Sequence, residues 1–467
     1  MTDMPLDNPF DQDTIAAIAT PIGQGGIGIV RISGPRCLAI AQKIFRPRRP
    51  VPSLKSHRLY LGEFCNPASG APIDEVFLTF MKAPRTYTRE DVVEINSHSG
   101  YTLLTKILET LLSQGARLAT PGEFTLRAFL NGRIDLTQAE AVMDLINSRS
   151  ERGLVLASEQ IRGAFREEIE GLRQKAVNIL ARAEAAIDFP EVEAEAVLRE
   201  EGPKEIGAGL TAPIASLVTA FEGRIWVEGV RTVIAGRVNV GKSSLLNRLL
   251  NEQRAIVTPF PGTTRDVIES SLMVEGIPLR LMDTAGLRSV TDEVERIGIT
   301  LARDKLKEAD LVLIVIDQSM PLNQDDLDII KESHGKPAVI VINKIDLPVR
   351  LPEGADVETL SFFPSVRISA LTGEGLDCLK KAIRDAILGA EVDATSFQAA
   401  PNMRHRQALV RALEFFEEAG HTIREDSPME IVALELKSGI DALGEITGET
   451  TTEEVLDSIF RQFCLGK

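Results

Sequence analysis

Residues 236–243 carry the sequence Gly-Arg-Val-Asn-Val-Gly-Lys-Ser, between a β-type run at 232–235 and a helical pattern that starts at Ser244. Glycines let such a loop curl so that backbone N–H groups surround phosphate oxygens. Lys242 then reaches the β- and γ-phosphates, and the Ser243 hydroxyl binds Mg²⁺. Because the strand and helix context is also present, the segment predicts a phosphate-binding loop at the start of a helix.

Three short motifs follow this loop in a fixed order. Residues 283–286 are Asp-Thr-Ala-Gly, where the carboxylate can hold Mg²⁺ through water and the Gly286 N–H can meet the γ-phosphate. Residues 343–346 are Asn-Lys-Ile-Asp, and the Asp346 carboxylate can accept both guanine N1–H and N2–H, which adenine does not offer. Residues 369–371, Ser-Ala-Leu, resemble a loop that contacts guanine O6. Each motif alone is weak, but the four in this order predict a GTP-binding domain.

Two segments predict how hydrolysis is controlled. Residues 258–266, Thr-Pro-Phe-Pro-Gly-Thr-Thr-Arg-Asp, look like a switch segment whose Thr264 hydroxyl joins Mg²⁺ in the GTP state. Leu287 stands where small GTPases carry the glutamine that orients the attacking water, so either hydrolysis is feeble or another residue positions that water. The acids at 292–295 are candidates for this task, and a solvated helix start is the alternative.

The pattern of apolar residues divides the chain into four regions. Residues 1–120 combine short β-type runs with one helical stretch and predict a small α+β domain. Between 229 and 388, β-type runs alternate with helical stretches, which is typical of a parallel α/β sheet. Residues 121–228, with an apolar stripe over 161–183, and residues 389–467 are helical. We expect these two stretches to pack together, making the α/β domain an insertion in one discontinuous helical domain; two independent helical domains are the alternative.

Composition limits the cellular context and the partners. The 467 residues carry 52 Lys and Arg against 68 Asp and Glu, a net charge of −16, which argues against a coat-like nucleic-acid binder. A local basic patch or a basic partner is still compatible with RNA binding. Four scattered cysteines without a CxxC pair indicate a reducing compartment. The absence of a signal-peptide pattern and of a membrane-length apolar run predicts a soluble cytoplasmic protein without membrane contact.

Motifs outside the GTP-binding region resemble one family. The chain is similar over nearly its full length to the MnmE (TrmE) family of bacterial tRNA modification GTPases. The resemblance rests on Ala-Thr-Pro-Ile-Gly at 19–23, Tyr-Thr-Arg-Glu-Asp at 87–91, Pro-Gly-Glu-Phe at 121–124, Asn-Gly-Arg-Ile-Asp at 131–135 and the final Cys-Leu-Gly-Lys at 464–467. It implies a multidomain α+β and α/β fold: an N-terminal folate-binding and dimerising domain, then a helical domain interrupted by a Ras-like P-loop GTPase domain.

The resemblance also implies an activity and its partners. Members of this family form homodimers and act with the flavin-dependent protein MnmG. Together they install a carboxymethylaminomethyl-type group at C5 of the wobble uridine, position 34, of certain tRNAs, with 5-formyl-tetrahydrofolate or a related folate as donor. K⁺ draws the two GTPase domains of a dimer together and stimulates hydrolysis, in place of the charge that an arginine finger supplies in other GTPases.

The same resemblance assigns individual residues. The K⁺ ligands correspond to the Asn239 side chain and to the backbones of Thr258, Phe260 and Thr263, and the water-orienting carboxylate corresponds to Glu295. The phosphate-loop and switch motifs themselves assign Mg²⁺ to Ser243 and Thr264. Folate binding is assigned to Arg31, Glu94, Arg133 and Lys467, which residue chemistry alone leaves as ordinary surface or paired charges. The full predicted nucleotide set is Asn239, Val240, Gly241, Lys242, Ser243, Ser244, Thr258, Thr263, Thr264, Asp283, Thr284, Ala285, Gly286, Asn343, Lys344, Asp346, Ser369, Ala370 and Leu371.

Several alternatives remain open at this point. Cys464 suits either a nucleophile beside the folate or a small packing group. A GTPase of ribosome assembly shares the nucleotide motifs, but we find no basic stretch of the kind that such proteins carry. Leu287 also suits a nucleotide-gated scaffold with negligible hydrolysis. The GxGxxG pattern at 23–28 predicts no dinucleotide site, because residues 27–33 have β-strand character where that motif needs a helix.

Overall fold

The computed structural model describes residues 13–21, 23, 25–189, 194–253, 271–282, 305–350, 360–389 and 400–467. The first domain is built on one sheet with strand order β3-β4-β5-β6-β2-β1-β7, in which only β1 and β7 are parallel. Its elements are β1 (Ile15–Ile18), β2 (Ile27–Ser33), α1 (Cys37–Ile44), β3 (Phe45–Pro47), β4 (Arg58–Cys65), β5 (Pro72–Met81), β6 (Val92–His98), α2 (Tyr101–Ser113) and β7 (Arg117–Leu118).

Helices α1 and α2 cover one face of this sheet. On β5 the alternate residues Val76, Leu78 and Phe80 are buried, and they share a single core with Ile40 of α1 and Ile107 of α2. The prediction of a small α+β domain is confirmed. Residues 27–33 form a strand where a dinucleotide motif would need a helix.

A helical stretch follows the first domain. It contains α3 (Glu123–Leu130), α4 (Leu136–Asn147), α5 (Glu151–Ile161), α6 (Ala164–Asp188), α7 (Ala194–Ile206), α8 (Ala212–Thr219) and α9 (Ile225–Glu228). Helix α4 starts at a capping box, in which the Asp135 carboxylate accepts from Gln138 N and the Gln138 side chain accepts from Asp135 N. The boundary at residue 120 stays a prediction. Contacts cross it, since Arg127 of α3 forms an ion pair with Glu90 of the first domain.

The inserted α/β domain comes next. It contains β8 (Val230–Ala235), α10 (Lys242–Gln253), β9 (Ser271–Val274), β10 (Ile277–Leu281), β11 (Leu311–Asp317), α11 (Gln324–Glu332), β12 (Ala338–Asn343), β13 (Ser365–Arg367) and α12 (Leu376–Leu388). The strand order is β13-β12-β11-β8-β10-β9, and β9 alone runs antiparallel to its neighbour. Every residue of β11 and β12 is buried, because cores lie on both faces of the sheet.

The chain then returns to helices α13 (Met403–Arg424), α14 (Met429–Thr447) and α15 (Glu453–Phe460). Phe165 and Ile169 of α6 share one buried core with Leu409 and Phe416 of α13 and with Leu436 of α14. The two helical stretches therefore form one discontinuous domain, and the alternative of two independent helical domains is wrong. The exact boundaries at 228 and 388 stay predictions. Over the described ranges, no helix combines the length and the apolar character needed to cross a membrane.

Candidate functional site

The loop between β8 and α10 has the backbone shape of a phosphate cradle. Gly236, Asn239 and Gly241 have φ angles of 146°, 66° and 101°, a region that L side chains rarely adopt. A Cβ at Gly241 would lie 2.2 Å from the Asn343 amide nitrogen, so no side chain fits there. Asn239 adopts the left-handed conformation that asparagine tolerates best among residues with a side chain. The glycines are thus needed for the turn and for close approach of the backbone.

Lys242 lies at the first position of α10, beneath this loop. Its ammonium donates to the carbonyl oxygens of Gly236 and Arg237, at 2.6 Å each. Burial lowers the pKa of Lys242, and a bound phosphate would favour its charged form. Val240 is buried and anchors the loop, whereas Ser243 and Ser244 are exposed at the start of the helix. The loop therefore offers a cation and hydroxyl oxygens at one helix N-terminus.

Asn343 connects the phosphate loop to the segment at 369–371. It ends β12 and is buried, and its amide nitrogen donates to Val240 O at 2.8 Å. Its amide oxygen accepts from Ala370 N at 2.9 Å. One side chain thus uses both ends of its amide to hold the two loops in a fixed relative position.

Lys344 and Asp346 extend this connection towards the solvent. The Lys344 ammonium lies 2.6 Å from the Asp317 carboxylate at the end of β11. Ser369 Oγ lies 2.5 Å from Asp346 Oδ1, to which it donates, and also accepts from Thr372 N at 3.1 Å. The hydroxyl therefore orients an exposed carboxylate that can accept guanine N–H groups.

Arg248 is a site residue that the sequence motifs did not reveal. Its Nε donates to Ala370 O at 3.3 Å, and its guanidinium also donates to Leu371 O. Helix α10 thereby holds the 369–371 segment, while the Leu371 side chain stays 76% exposed. A lone arginine in the middle of a helix carries no motif that predicts such a contact.

Some of the residues predicted to bind the nucleotide, to hold K⁺ or Mg²⁺ or to orient the water belong to segments that the structure does not describe. These residues lie outside the described ranges: Thr258, Phe260, Thr263, Thr264, Asp283, Thr284, Ala285, Gly286 and Glu295. The structure brings together the described members of the set around the phosphate loop and the 343–346 and 369–371 segments.

A second constellation lies on the first domain, where the end of the chain reaches it. Arg31 of β2 and Glu94 of β6 are cross-strand neighbours, and Arg31 Nε donates to Glu94 Oε1 at 2.8 Å. Arg31 also donates to Gly466 O at 3.3 Å, and its guanidinium carbon lies 5.7 Å from the centre of the Phe124 ring. The last residue, Lys467, follows Gly466 directly and therefore lies close to this pair.

Tyr87 joins Arg133 to the same constellation. The Arg133 guanidinium carbon lies 5.3 Å from the centre of the Tyr87 ring, and its guanidinium donates to Thr86 O. Burial raises the pKa of Tyr87, while a hydrogen bond with Thr125 and the charges of Arg133 and Arg31 act against this rise. The positive charges of both arginines therefore favour the ionised form of the same phenol, that of Tyr87. Tyr87 and Phe124 stood inside quoted motifs, but the sequence did not assign them to the site.

The C-terminal segment is held by its backbone. Gly466 has a φ of 86°, and a Cβ there would lie 2.4 Å from Ile18 O, so the segment is pressed against β1. Cys464 O accepts from Gly122 N at 3.4 Å, and the Cys464 side chain is exposed. The four residues predicted for folate, Arg31, Glu94, Arg133 and Lys467, thus lie in one region, although their role in binding stays a prediction.

Comparisons with known proteins agree with this architecture. The family model described as "MnmE helical domain" matches residues 136–464, and the model "GTP-binding protein TrmE N-terminus" matches residues 14–133. A tRNA modification GTPase MnmE of Geotalea uraniireducens is 45% identical over 98% of this chain and 100% of its own length. The protein of the same name from Geobacillus thermodenitrificans is 44% identical over 97% of this chain and 99% of its own length.

Two solved structures of GTP-binding proteins resemble part of the chain. The G domain of the FeoB iron transporter of T. maritima is 28% identical, covers 34% of this chain and 98% of its own, and has a TM-score of 0.23. A variant of Era from Aquifex aeolicus is 27% identical, covers 40% of this chain and 66% of its own, and has a TM-score of 0.25. The family models and the nearly full-length relatives together establish that this chain belongs to the MnmE family of tRNA modification GTPases.

Proposed function

We propose that this GTPase is stimulated by K⁺ and acts as a homodimer with the flavin-dependent partner MnmG in the cytoplasm. Together they install a carboxymethylaminomethyl-type group at C5 of the wobble uridine, position 34, of certain tRNAs. The one-carbon donor is 5-formyl-tetrahydrofolate or a related folate. Membership of the family shows the more general point, that the chain is a GTP hydrolase that takes part in tRNA modification.

One observation supports guanine nucleotide binding most strongly. Asn343 holds both the phosphate loop, through Val240 O, and the 369–371 segment, through Ala370 N. The phosphate site and the base site are therefore fixed relative to each other by hydrogen bonds within the protein itself. Such preorganisation reduces the ordering cost of binding.

Each residue of the nucleotide site has a role in hydrolysis. Lys242 binds the β- and γ-phosphates, and the backbone N–H groups of the loop surround their oxygens. Asp346 accepts the guanine N–H groups, and Ser369 keeps its carboxylate oriented. Glu295, which lies outside the described residues, orients the attacking water in place of the glutamine that Leu287 replaces.

The oxygen donors of this site suit the two proposed cations. Ser243 presents an exposed hydroxyl one residue after Lys242, and Asn239 presents an exposed amide on the loop itself. Both are hard oxygen ligands of the kind that Mg²⁺ and K⁺ prefer. Thr264 would complete the Mg²⁺ site, and the backbones of Thr258, Phe260 and Thr263 the K⁺ site. When bound, the cations offset the negative charge that shifts during cleavage of the β–γ bond.

The second constellation supports folate binding by its chemistry. The tail carboxylates of a folate suit the cations of Arg133 and Lys467, and Glu94 suits the donor edge of a pterin ring. The rings of Phe124 and Tyr87 lie against the arginines and add apolar surface. Arg31 is already paired with Glu94, so its main role is to orient that carboxylate.

Exposed apolar side chains on the first domain support the proposed homodimer. Ile27, Leu59 and Phe77 are 67%, 59% and 46% exposed. The strand registers place all three on the sheet face opposite α1 and α2, since Phe77 pairs with Leu61 and with Asn96. A part of a sheet face that exposes several large apolar residues favours contact with a second chain.

The proposed function is tested by two measurements on the full-length protein. Steady-state GTP turnover is expected to be higher in K⁺ than in Na⁺ at equal ionic strength. Mass spectrometry of a tRNA incubated with this chain, MnmG, GTP and the folate donor is expected to show a modified uridine at position 34. Low turnover in both salts would favour the nucleotide-gated scaffold, and an unmodified uridine in the complete mixture would overturn the assigned reaction.

A further inference from the structure

An acidic chain carries one basic region on its first domain. Residues 43–85 contain eight Lys and Arg against three acids, whereas the whole chain has a net charge of −16. All eight are exposed: Lys43, Arg46, Arg48, Arg49, Lys55, Arg58, Lys82 and Arg85. In the sequence these charges are divided between residues 43–58 and 82–85, which the fold brings together.

Hydrogen bonds fasten the two segments to each other at one end of the β4–β5 ladder. Lys82 N donates to Ser56 Oγ at 2.9 Å, and the His57 ring contacts Arg85 O at 3.0 Å. Arg58 is paired in register with Phe80, two residues before Lys82. Arg48 N donates to Leu61 O of β4 at 2.9 Å, which brings the neighbouring Arg49 beside this strand. We call the group formed by Arg49, Lys55, Arg58, Lys82 and Arg85 the basic edge.

The charges of the basic edge are not used to hold the fold. None of its five members forms an ion pair with a residue that the structure describes, whereas the neighbouring Arg48 pairs with Glu75 at 3.4 Å. Exposed cations without acidic partners are often merely solvated. Five of them on one edge of an otherwise acidic protein, however, create a local positive potential that attracts polyanions.

The basic edge is continuous with the second constellation. Arg85 precedes Thr86, whose carbonyl accepts from Arg133, and Arg89 of the same loop donates to Asn131 O at 2.8 Å. The loop at 82–91 therefore carries cations of the basic edge at its start and the Tyr87 ring in its middle. A polyanion held by the edge would lie next to the candidate folate site.

We propose that the basic edge binds phosphate groups of the tRNA backbone and so brings the RNA towards the candidate one-carbon site. This inference rests on the proposed function, in which tRNA is the substrate. Lysine and arginine contacts to phosphates position an RNA without reading its sequence, which fits an edge whose five members are all cations. A membrane surface fits less well, because the apolar Val51 and Leu54 of the first segment are half-buried and do not form an exposed insertion face.

The test uses two double variants of the full-length protein, Lys55→Glu/Arg58→Glu and Lys82→Glu/Arg85→Glu. The matched control is Lys204→Glu/Lys437→Glu, which changes the net charge equally at exposed helical positions that form no ion pair with the described residues. The probe is an unmodified tRNA transcript, with affinity measured over a series of KCl concentrations. GTP turnover without tRNA and the melting temperature confirm that each variant is folded.

We expect each edge variant to bind tRNA about ten-fold or more weakly near 100 mM salt, with the slope of log K against log salt reduced by roughly 1.5. The control should bind like the wild type. An equal loss in the control, or no loss in the edge variants, would overturn the proposal while leaving tRNA modification intact. Absence of tRNA binding by the wild-type chain at low salt would also overturn it. If an edge variant fails to fold, the corresponding Lys→Gln and Arg→Gln pair replaces it, with a smaller loss expected.

Discussion

Glu140 and Asp144 lie one turn apart on α4, and each holds one of the two segments that connect the helical domain to the GTPase domain. Glu140 lies 2.6 Å from Arg404 and 2.6 Å from His405, at the start of α13. Asp144 accepts two hydrogen bonds from Arg224, at 2.5 and 2.6 Å, just before α9. One face of helix α4 therefore holds both the segment that precedes the inserted domain and the segment that follows it.

Packing connects this helix to both candidate sites. Trp226, two residues after Arg224, is buried in the core of the GTPase domain together with Leu156 of α5. At the other end of α4, Leu136 and Ala139 pack against Phe460, close to the C-terminal segment at Arg31.

The charge of Glu140 is maintained by its two partners. Burial alone would raise the pKa of Glu140, but His405 and Arg404 outweigh it and hold this pKa well below its usual range. The carboxylate thus remains charged between the imidazole and the guanidinium.

The Asp144–Arg224 pair predicts a large loss of stability when it is broken. Both side chains are mostly buried, so Asp144→Asn leaves the Arg224 guanidinium paired only with the largely exposed Glu228 among the described residues. The substitution is expected to lower the free energy of unfolding by about 3 kcal/mol. Chemical denaturation followed by circular dichroism measures this loss. Asp457→Asn, which breaks the exposed pair with Arg461, is the control and should cost about 0–1 kcal/mol. Equal losses of unfolding free energy in the two variants would mean that the buried pair stabilises the protein no more than the exposed pair does.

Asp346→Asn is expected to weaken guanine recognition. The amide does not accept both guanine donors, so GTP affinity should fall by roughly 10–100-fold, or about 1.5–3 kcal/mol, while xanthosine triphosphate gains relative to GTP. Competition binding with the two nucleotides measures the change. Asp377→Asn, at an exposed position of the same domain, is the control. Full preference for GTP in the Asp346 variant would contradict the assigned base contact.

The strands of the inserted sheet were predictable because a short run of consecutive residues is enough to indicate each of them. The aliphatic run at 311–316 and the observed β11 (Leu311–Asp317) agree, since a strand buried on both faces must be apolar throughout. The phosphate loop was predictable for a related reason: its glycines are required by backbone shape, as Gly241 confirms.

Contacts between distant parts of the chain were not predictable. Arg248 bonds the carbonyl of a residue 122 positions away, and Glu140 pairs with a residue 264 positions away. No periodicity or spacing encodes such pairs, because they depend on how whole domains pack. The basic edge depends on the fold in the same way, since Lys82 and the segment that carries Lys55 meet only where Lys82 N donates to Ser56 Oγ.

The four cysteines are expected to differ in reactivity. Cys37 and Cys65 are buried, and burial raises the pKa of the Cys37 thiol to about 12. Cys378 and Cys464 are exposed. Brief treatment of the native protein with iodoacetamide at about pH 8 should therefore modify Cys378 and Cys464 alone, because the thiolate is the reactive form. Peptide mass spectrometry identifies the modified residues, and early labelling of Cys37 would contradict its burial.

Glu295→Ala is expected to slow hydrolysis while leaving GTP affinity nearly unchanged. A water-orienting carboxylate acts mainly in the transition state, so kcat should fall by roughly 100-fold or more. Single-turnover hydrolysis at saturating GTP and K⁺ measures the effect. Glu293→Ala is a matched control in the same sequence segment. A larger loss in the Glu293 variant would mean that Glu293 orients the attacking water. Unchanged rates in both variants would mean that another group orients it.

Two substitutions of Asn239 distinguish the role of its amide oxygen from the role of its backbone conformation. Its φ of 66° favours asparagine or glycine, so Asn239→Gly removes the amide and preserves the backbone, whereas Asn239→Ala also strains the loop. Since Lys242 and the loop N–H groups still bind the phosphates, GTP affinity of the glycine variant should change little. Its hydrolysis should lose the stimulation by K⁺, because the proposed ligand of that cation is absent.

Turnover of the wild type, Asn239→Gly and Asn239→Ala is compared in K⁺ and in Na⁺, together with distances between spin labels on the two GTPase domains of a dimer. Loss of K⁺ stimulation and of domain closure in both variants, with nucleotide affinity retained in the glycine variant, supports cation binding by the amide. If the glycine variant still hydrolyses GTP faster in K⁺ and still closes, Asn239 serves only the shape of the loop. The charge that replaces an arginine finger would then come from another group.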